Sequence, residues 1–186
     1  YLMHTVGILA NDQHPVLQDY PGLVTQIEQF TDWPVFFLNW QSPLMSNLAL
    51  REAVQAALNL EPLMQSAYGS SEYYQLYPGL MMKQTAWHTE AGIERYNMND
   101  PELAKAKLEE AGYDGTPIRF MSTQEYGYMY ATSTPAVQQL EAVGFVMDHQ
   151  VIDWATVLER RAVPEEWEMF VTGHGFVPDP SQISYV

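Results

Sequence analysis

Cysteine is absent from the 186 residues, so thiolate catalysis, Cys-ligated zinc and disulfide stapling are excluded. The absence is compatible with an oxidising compartment without requiring one. Basic residues are scarce: eight Lys and Arg stand against 23 Asp and Glu, a formal charge of −15. That balance argues against a nucleic-acid partner and against docking on an anionic bilayer, since both need clustered cations. The acids are dispersed and form no acidic tail. No apolar run is long enough to span a membrane, and no cleavable leader stands at the start. Gly-rich phosphate loops and the Gly-x-Ser-x-Gly elbow are missing too. The five histidines, His4, His14, His88, His149 and His174, fit no metal spacing and no i, i+4 helical pair. Glu109–Glu110 and Glu165–Glu166 are neighbours in sequence, and adjacent side chains do not converge on one substrate. No cofactor is implied.

Aromatic rings are plentiful, at 13% of residues. The twelve tyrosines and five tryptophans outnumber seven phenylalanines, so most rings carry a polar atom suited to a ligand or protein interface. The length suffices for a metal-free core. The chain opens at Tyr1 without Met and stops at Val186 in mid-pattern, as expected of a piece excised from a longer polypeptide.

Residues 2–10 are a candidate strand, Pro15-Val16-Leu17 opens a short helical turn, and residues 24–30 alternate loosely as a strand would. Residues 35–40 form a compact apolar run bounded by Pro34 and Pro43, as a buried strand does. A helix is predicted from Asn47, with Leu50, Val54, Ala57 and Leu58 on one face. Pro62 is expected to break it at Glu61, leaving a second helix over 63–68 that ends at Gly69. Residues 70–99 form a long irregular segment.

From residue 100 the signals sharpen. Asp100 caps, Pro101 sits at the first helical position, Ala104, Leu108 and Ala111 make the buried stripe, and Gly112 stops the helix. A strand over 117–123 follows, then a helix over 130–143 whose start Pro135 shifts or disturbs. Gly144 ends it, and a strand runs over 145–152. Asp153 caps a further helix to Arg161, with Trp154, Val157 and Leu158 on one face, and residues 168–172 form the last strand. Strands separated by single helices predict an α/β fold with a mainly parallel sheet flanked by helices.

Several pieces in fixed order carry a family likeness from about Pro15 to Pro180. They are Phe36-Phe37-Leu38-Asn39-Trp40, the helix Leu50-Arg51-Glu52-Ala53-Val54-Gln55-Ala56-Ala57-Leu58, and Tyr77-Pro78-Gly79-Leu80-Met81. Asp100-Pro101-Glu102 with Ala104-Lys105 and Glu110-Ala111-Gly112-Tyr113 comes next, then Gln139-Leu140 to Gly144-Phe145, and finally Val177-Pro178-Asp179-Pro180. In this combination the chain resembles the second, C-terminal lobe of the extracytoplasmic solute-binding proteins of ABC importers, family 5, of the oligopeptide, dipeptide and nickel-binding kind. The resemblance implies a periplasmic-binding-protein-like lobe over 1–186. It implies a small-molecule or peptide solute, a membrane permease and a missing N-terminal lobe as partners, and a periplasmic or extracytoplasmic setting, with lipid anchoring of the parent left open. It implies no catalysis.

Solute in such a clamp sits at the carboxyl ends of sheet strands. The expected ligand-binding residues are therefore Asn39 and Trp40, then Gln124, Glu125, Tyr126 and Tyr128, and then His174, Phe176 and Asp179. Arg51 is expected to pin its helix to a neighbouring loop. Dipeptide-binding relatives resemble one another in an Arg and an Asp that grip the peptide termini. Here those places fall near Glu125 or Tyr126 and near Phe176, and neither residue type is present, which favours a larger or less charged solute. Two other readings stay open: a hydrolase using Glu125, Asp179 and His174, which requires those three to converge, and a sensory domain on the same fold.

Overall fold

The computed structural model describes residues 13–27, 32–79, 81–83, 85–175, 177 and 179–182. The strand expected over 2–10, the last residues of 24–30, and Phe176 and Pro178 lie outside the described residues. Residues 24–27 are exposed or half-buried and belong to no strand, so that part of the expectation is corrected: nothing there offers the alternation a sheet partner.

The elements are α1 (Gln13–Gln18), β1 (Asp32–Leu38), α2 (Leu48–Ala57), α3 (Leu60–Tyr68), α4 (Pro101–Ala111), β2 (Ile118–Ser122), α5 (Gly127–Val143), β3 (Met147–Val151), α6 (Trp154–Arg160) and β4 (Met169–Gly175). Among the described residues of 70–99 the one helical element is a short 3-10 turn at Ile93–Arg95. The strands form one sheet in the order β1-β4-β2-β3. β2 runs parallel to both β3 and β4, whereas β1 runs antiparallel to β4. The sheet is thus mixed and mainly parallel.

Chain direction explains the layering. The step β2–α5–β3 moves outward to the sheet edge, and β3–α6–β4 reverses over β2 to the interior. Right-handed crossovers in opposite senses place their helices on opposite faces. On one face Ile118, Phe120, Met169 and Val171 are buried beneath α2 and α5, with Ala136, Leu140, Leu50 and Val54 closing the core. On the other face Met121, Phe170 and Trp167 pack with Val157 of α6. Phe37 stacks on Phe170 at 5.0 Å and Trp167 meets it edge-on at 4.9 Å. The exposed Leu158 corrects the expectation that it faces inward, since α6 is only two turns long and Val157 takes the core position.

The helix ends follow side-chain chemistry. Asn47, Asp100 and Asp153 each accept a hydrogen bond from an early amide of their helix. Gly112 and Gly144 adopt φ of 64° and 113° and close α4 and α5 in the left-handed region. Two boundaries differ from the sequence expectation. The break between α2 and α3 falls at Leu58–Asn59, because the Asn59 side chain accepts from the Glu61 amide. Pro62 then sits in the first turn, where its missing N–H costs nothing. α5 begins at Gly127 and continues through Pro135. The hydroxyls of Thr132, Ser133 and Thr134 donate to the carbonyls of Tyr128 and Tyr130 in the turn before the proline, whose missing N–H removes the i−4 donor of the Ala131 carbonyl. Arg51 pins α2 to the preceding loop through the Met45 and Ser46 carbonyls, as expected.

Candidate functional site

The carboxyl ends of β2, β3 and β4 point the same way, and the loops that leave them gather on one edge of the sheet. β2 ends in Ser122 and the buried Thr123, after which Gln124, Glu125 and Tyr126 emerge exposed. Tyr126 occupies the cap position of α5 without capping it and is 44% exposed. Tyr128 and Tyr130 follow on the first turns of the helix rather than on a free loop.

The Tyr126 ring meets Trp154 edge-on at 5.4 Å and lies 6.5 Å from Tyr128. The Tyr128 hydroxyl rests over Gly173 of β4, where any Cβ would collide with it. Glu125 Oε1 accepts from the Trp154 amide at 3.0 Å, which ties the β2 loop to the start of α6. His174, on the α6 face of β4, lies edge-on to Phe37 at 5.6 Å. Burial holds its imidazole below the usual histidine range, and the Arg161 charge adds to that. Asp179 accepts from the Ser181 amide, and the hydroxyl and amide of Ser181 depress its carboxyl. Glu125, Tyr126, Tyr128 and His174 therefore share one end of the sheet. Phe176 lies outside the described residues.

Asn39 and Trp40 do not belong to that end. They follow the carboxyl end of β1, but β1 runs antiparallel, and its Leu38 pairs with Met169 at the beginning of β4. The expectation that they share a cleft with the others treated β1 as a parallel strand, and its direction separates them. Asn39 is 4% exposed, and its amide donates to the carbonyls of Pro164 at 2.7 Å and Trp167 at 2.8 Å. It holds the turn before β4. Trp40 is 69% exposed beside it.

Three features at the site edge escaped the sequence reading. Trp154, expected on one face with Val157 and Leu158, packs half-buried against the core and also meets the Tyr126 ring at the rim. Trp33 pairs with His174 across β1 and β4. His149 Nε2 lies 3.0 Å from Ser122 Oγ and 3.1 Å from Ser133 Oγ, beneath the stacked Tyr130 ring. Burial lowers the His149 imidazole, with Glu141 opposing weakly. This contact joins residues far apart in sequence, and no local pattern announces it.

Glu125, Asp179 and His174 do not form a hydrogen-bonded triad among the described residues: the two carboxylates are engaged by the Trp154 and Ser181 amides. Among the described residues no group of His, Asp and Glu could hold a metal ion, and no helix is long and apolar enough to cross a membrane. A separate concavity of about 360 Å³ opens between β1 and α2, lined by Phe36, Leu38, Leu48, Arg51, Val54 and Leu58. It lies on the outer side of β1, apart from the loops that follow β2 and β4.

A mixed sheet wrapped on both faces by helices is the α/β architecture of a periplasmic-binding-protein-like fold. Residues 4–186 match the family described as "Bacterial extracellular solute-binding proteins, family 5 Middle", and the chain belongs to that family. Among curated proteins it is 24% identical over 145 residues to "Probable peptide ABC transporter periplasmic-binding protein y4tO" of Sinorhizobium fredii, covering 71% of this chain and 26% of that one. Among solved structures it resembles the periplasmic binding protein DppA of Helicobacter pylori in complex with the peptide STSA, with TM-score 0.76 and 21% identity over 91% of this chain and 32% of that one. It also resembles NikA of Brucella suis in complex with Fe(III)-EDTA, with TM-score 0.74 and 18% identity over 92% of this chain and 36% of that one. At such identities the structural likeness carries the fold alone. The chain spans about a quarter of the curated relative and about a third of these structures. The family and these relatives are binding proteins rather than enzymes.

Proposed function

We propose that residues 1–186 are one lobe of a two-lobed solute receptor, excised from a longer chain, which captures a peptide or related small organic solute and delivers it to the permease of an ABC importer. The observation that carries this reading is the concentration of Glu125, Tyr126, Tyr128 and His174 at the carboxyl ends of β2 and β4. Loops at such an edge can present side chains to a ligand without disturbing the packed sheet behind them.

Binding follows from the geometry. Solute docks first on this edge, where the Tyr126, Tyr128 and Trp154 rings offer flat area at low entropic cost. The second lobe closes over it as a rigid body, and the solute's greater affinity for the closed form drives closure. The permease recognises the closed form outside the cytoplasmic membrane. With no Arg in the β2 loop to grip a free carboxylate, a zwitterionic dipeptide is disfavoured.

The test is to purify the complete polypeptide that carries these residues and identify what co-purifies by native mass spectrometry. A small organic solute in near one-to-one ratio is expected. The complete polypeptide binding no solute, or turning one over covalently, contradicts the reading. Residues 1–186 alone lack half the contacts, and their dissociation constant is expected to be weaker than about 1 μM.

A further inference from the structure

We propose that the solute carries a positive group, an amine or guanidinium, received against Glu125 beside the packed ring pair of Tyr126 and Trp154. The proposal rests on the receptor reading above and adds the chemical class of the solute.

The Trp154 amide takes Glu125 Oε1 and fixes the carboxylate at the mouth of the β2 loop, while Oε2 has no protein partner among the described residues. None of the eight basic side chains pairs with it. Arg95, Lys105, Lys107, Arg119 and Arg160 are held by Glu52, Glu102, Glu110, Glu168 and Glu166, and Arg51 by backbone carbonyls. Lys83 forms no ion pair among the described residues, and the charge of Arg161 is felt at His174 on the α6 face. A carboxylate oriented by the Trp154 amide, open on one oxygen and neighboured in the chain by a ring that packs edge-to-face with Trp154, is an arrangement that attracts a cation. The carboxylate supplies the charge, and the exposed Tyr126 ring adjoins it.

An anion entering the same place meets Glu125 unshielded, and lobe closure strengthens that repulsion as water leaves. The excess of 23 acids over eight bases adds a long-range field of the same sign. The sequence expectation of a larger or less charged solute is thereby sharpened: what the site excludes is a carboxylate, not charge as such.

The alternative role for Glu125 is structural, as an extra acceptor at the start of α6. E125Q separates the two, because its amide oxygen still accepts from Trp154 N while its charge is gone. Trilysine, trialanine and triglutamate, each N-acetylated and C-amidated so that only side chains carry charge, are titrated calorimetrically into the complete polypeptide at low salt. Trilysine is expected to bind at least about tenfold more tightly than trialanine, and triglutamate more weakly than both. E125Q is expected to weaken trilysine about tenfold and so to erase its advantage over trialanine, with Tm unchanged. Tighter binding of trialanine or triglutamate keeps the receptor reading and overturns the charge preference, as does an E125Q protein that still prefers trilysine. Failure of all three to bind, with no solute co-purifying, overturns the receptor reading and this proposal together.

Discussion

The two ends of the sheet are built on opposite plans. At the end where β4 begins, polar groups are buried and engaged. Glu168, 3% exposed, receives Arg119 through Nε at 2.8 Å and Nη2 at 2.6 Å and also accepts the Arg119 amide at 2.9 Å, while Asn39 donates to two carbonyls of the same turn. At the end where β4 finishes, Gln124, Glu125 and Tyr126 are exposed and make few bonds. A polar group already bonded inside the fold has little left for a ligand, and removing it costs stability. A polar group held in place but open to solvent costs little to remove and can serve recognition. We therefore propose solute recognition at the second end, although the first holds the stronger interactions.

Substitutions can break or sharpen that contrast. E168Q leaves the Arg119 charge without its partner and is expected to cost about 3 kcal/mol, read by urea unfolding of the complete polypeptide. N39A orphans two carbonyls and is expected to cost about 2 kcal/mol in the same assay, with solute affinity unchanged. At the other end, G173A forces the Tyr128 ring aside. A loss of about 1 kcal/mol is expected, together with weaker solute binding. Acid acts on His149 and His174, whose folded imidazoles are held low mainly by burial. Their stabilisation is complete above the unfolded pKa of about 6.5, and it is lost as pH falls below that value and the unfolded chain takes up protons that the folded one refuses. Tm is expected to drop over that range, and H149Q to flatten part of the drop. Y126A is the smallest change to the fold, within about 0.5 kcal/mol, yet it is expected to weaken solute binding about tenfold. An Y126A protein with lowered Tm and unchanged affinity would erase the contrast.

Much of this was legible in the sequence. Asp100, Pro101 and Gly112 bound α4 because capping and left-handed closure are local chemistry, and Asp153 marks α6 in the same way. Membership of the family followed from the ordered pieces between residues 36 and 180. Strand direction was not local. Nothing in Val35-Phe36-Phe37-Leu38 says whether the strand runs with or against β4, and that sign moved Asn39 and Trp40 to the far end of the sheet. Pro135 reads locally as a helix boundary because its missing N–H opposes a helix interior, whereas the burial of Ala136 and Leu140 that carries α5 past it is a long-range effect. The Ser122–His149–Ser133 contact needs β2, β3 and α5 together.

The most direct test of the central claim is amide hydrogen exchange on the complete polypeptide with and without its co-purifying solute. Slowed exchange is expected in residues 124–130, 152–154 and 173–175, with residues 39–41 and 164–168 unchanged. Protection at residues 39–41 and 164–168 with none at 124–130 would contradict it.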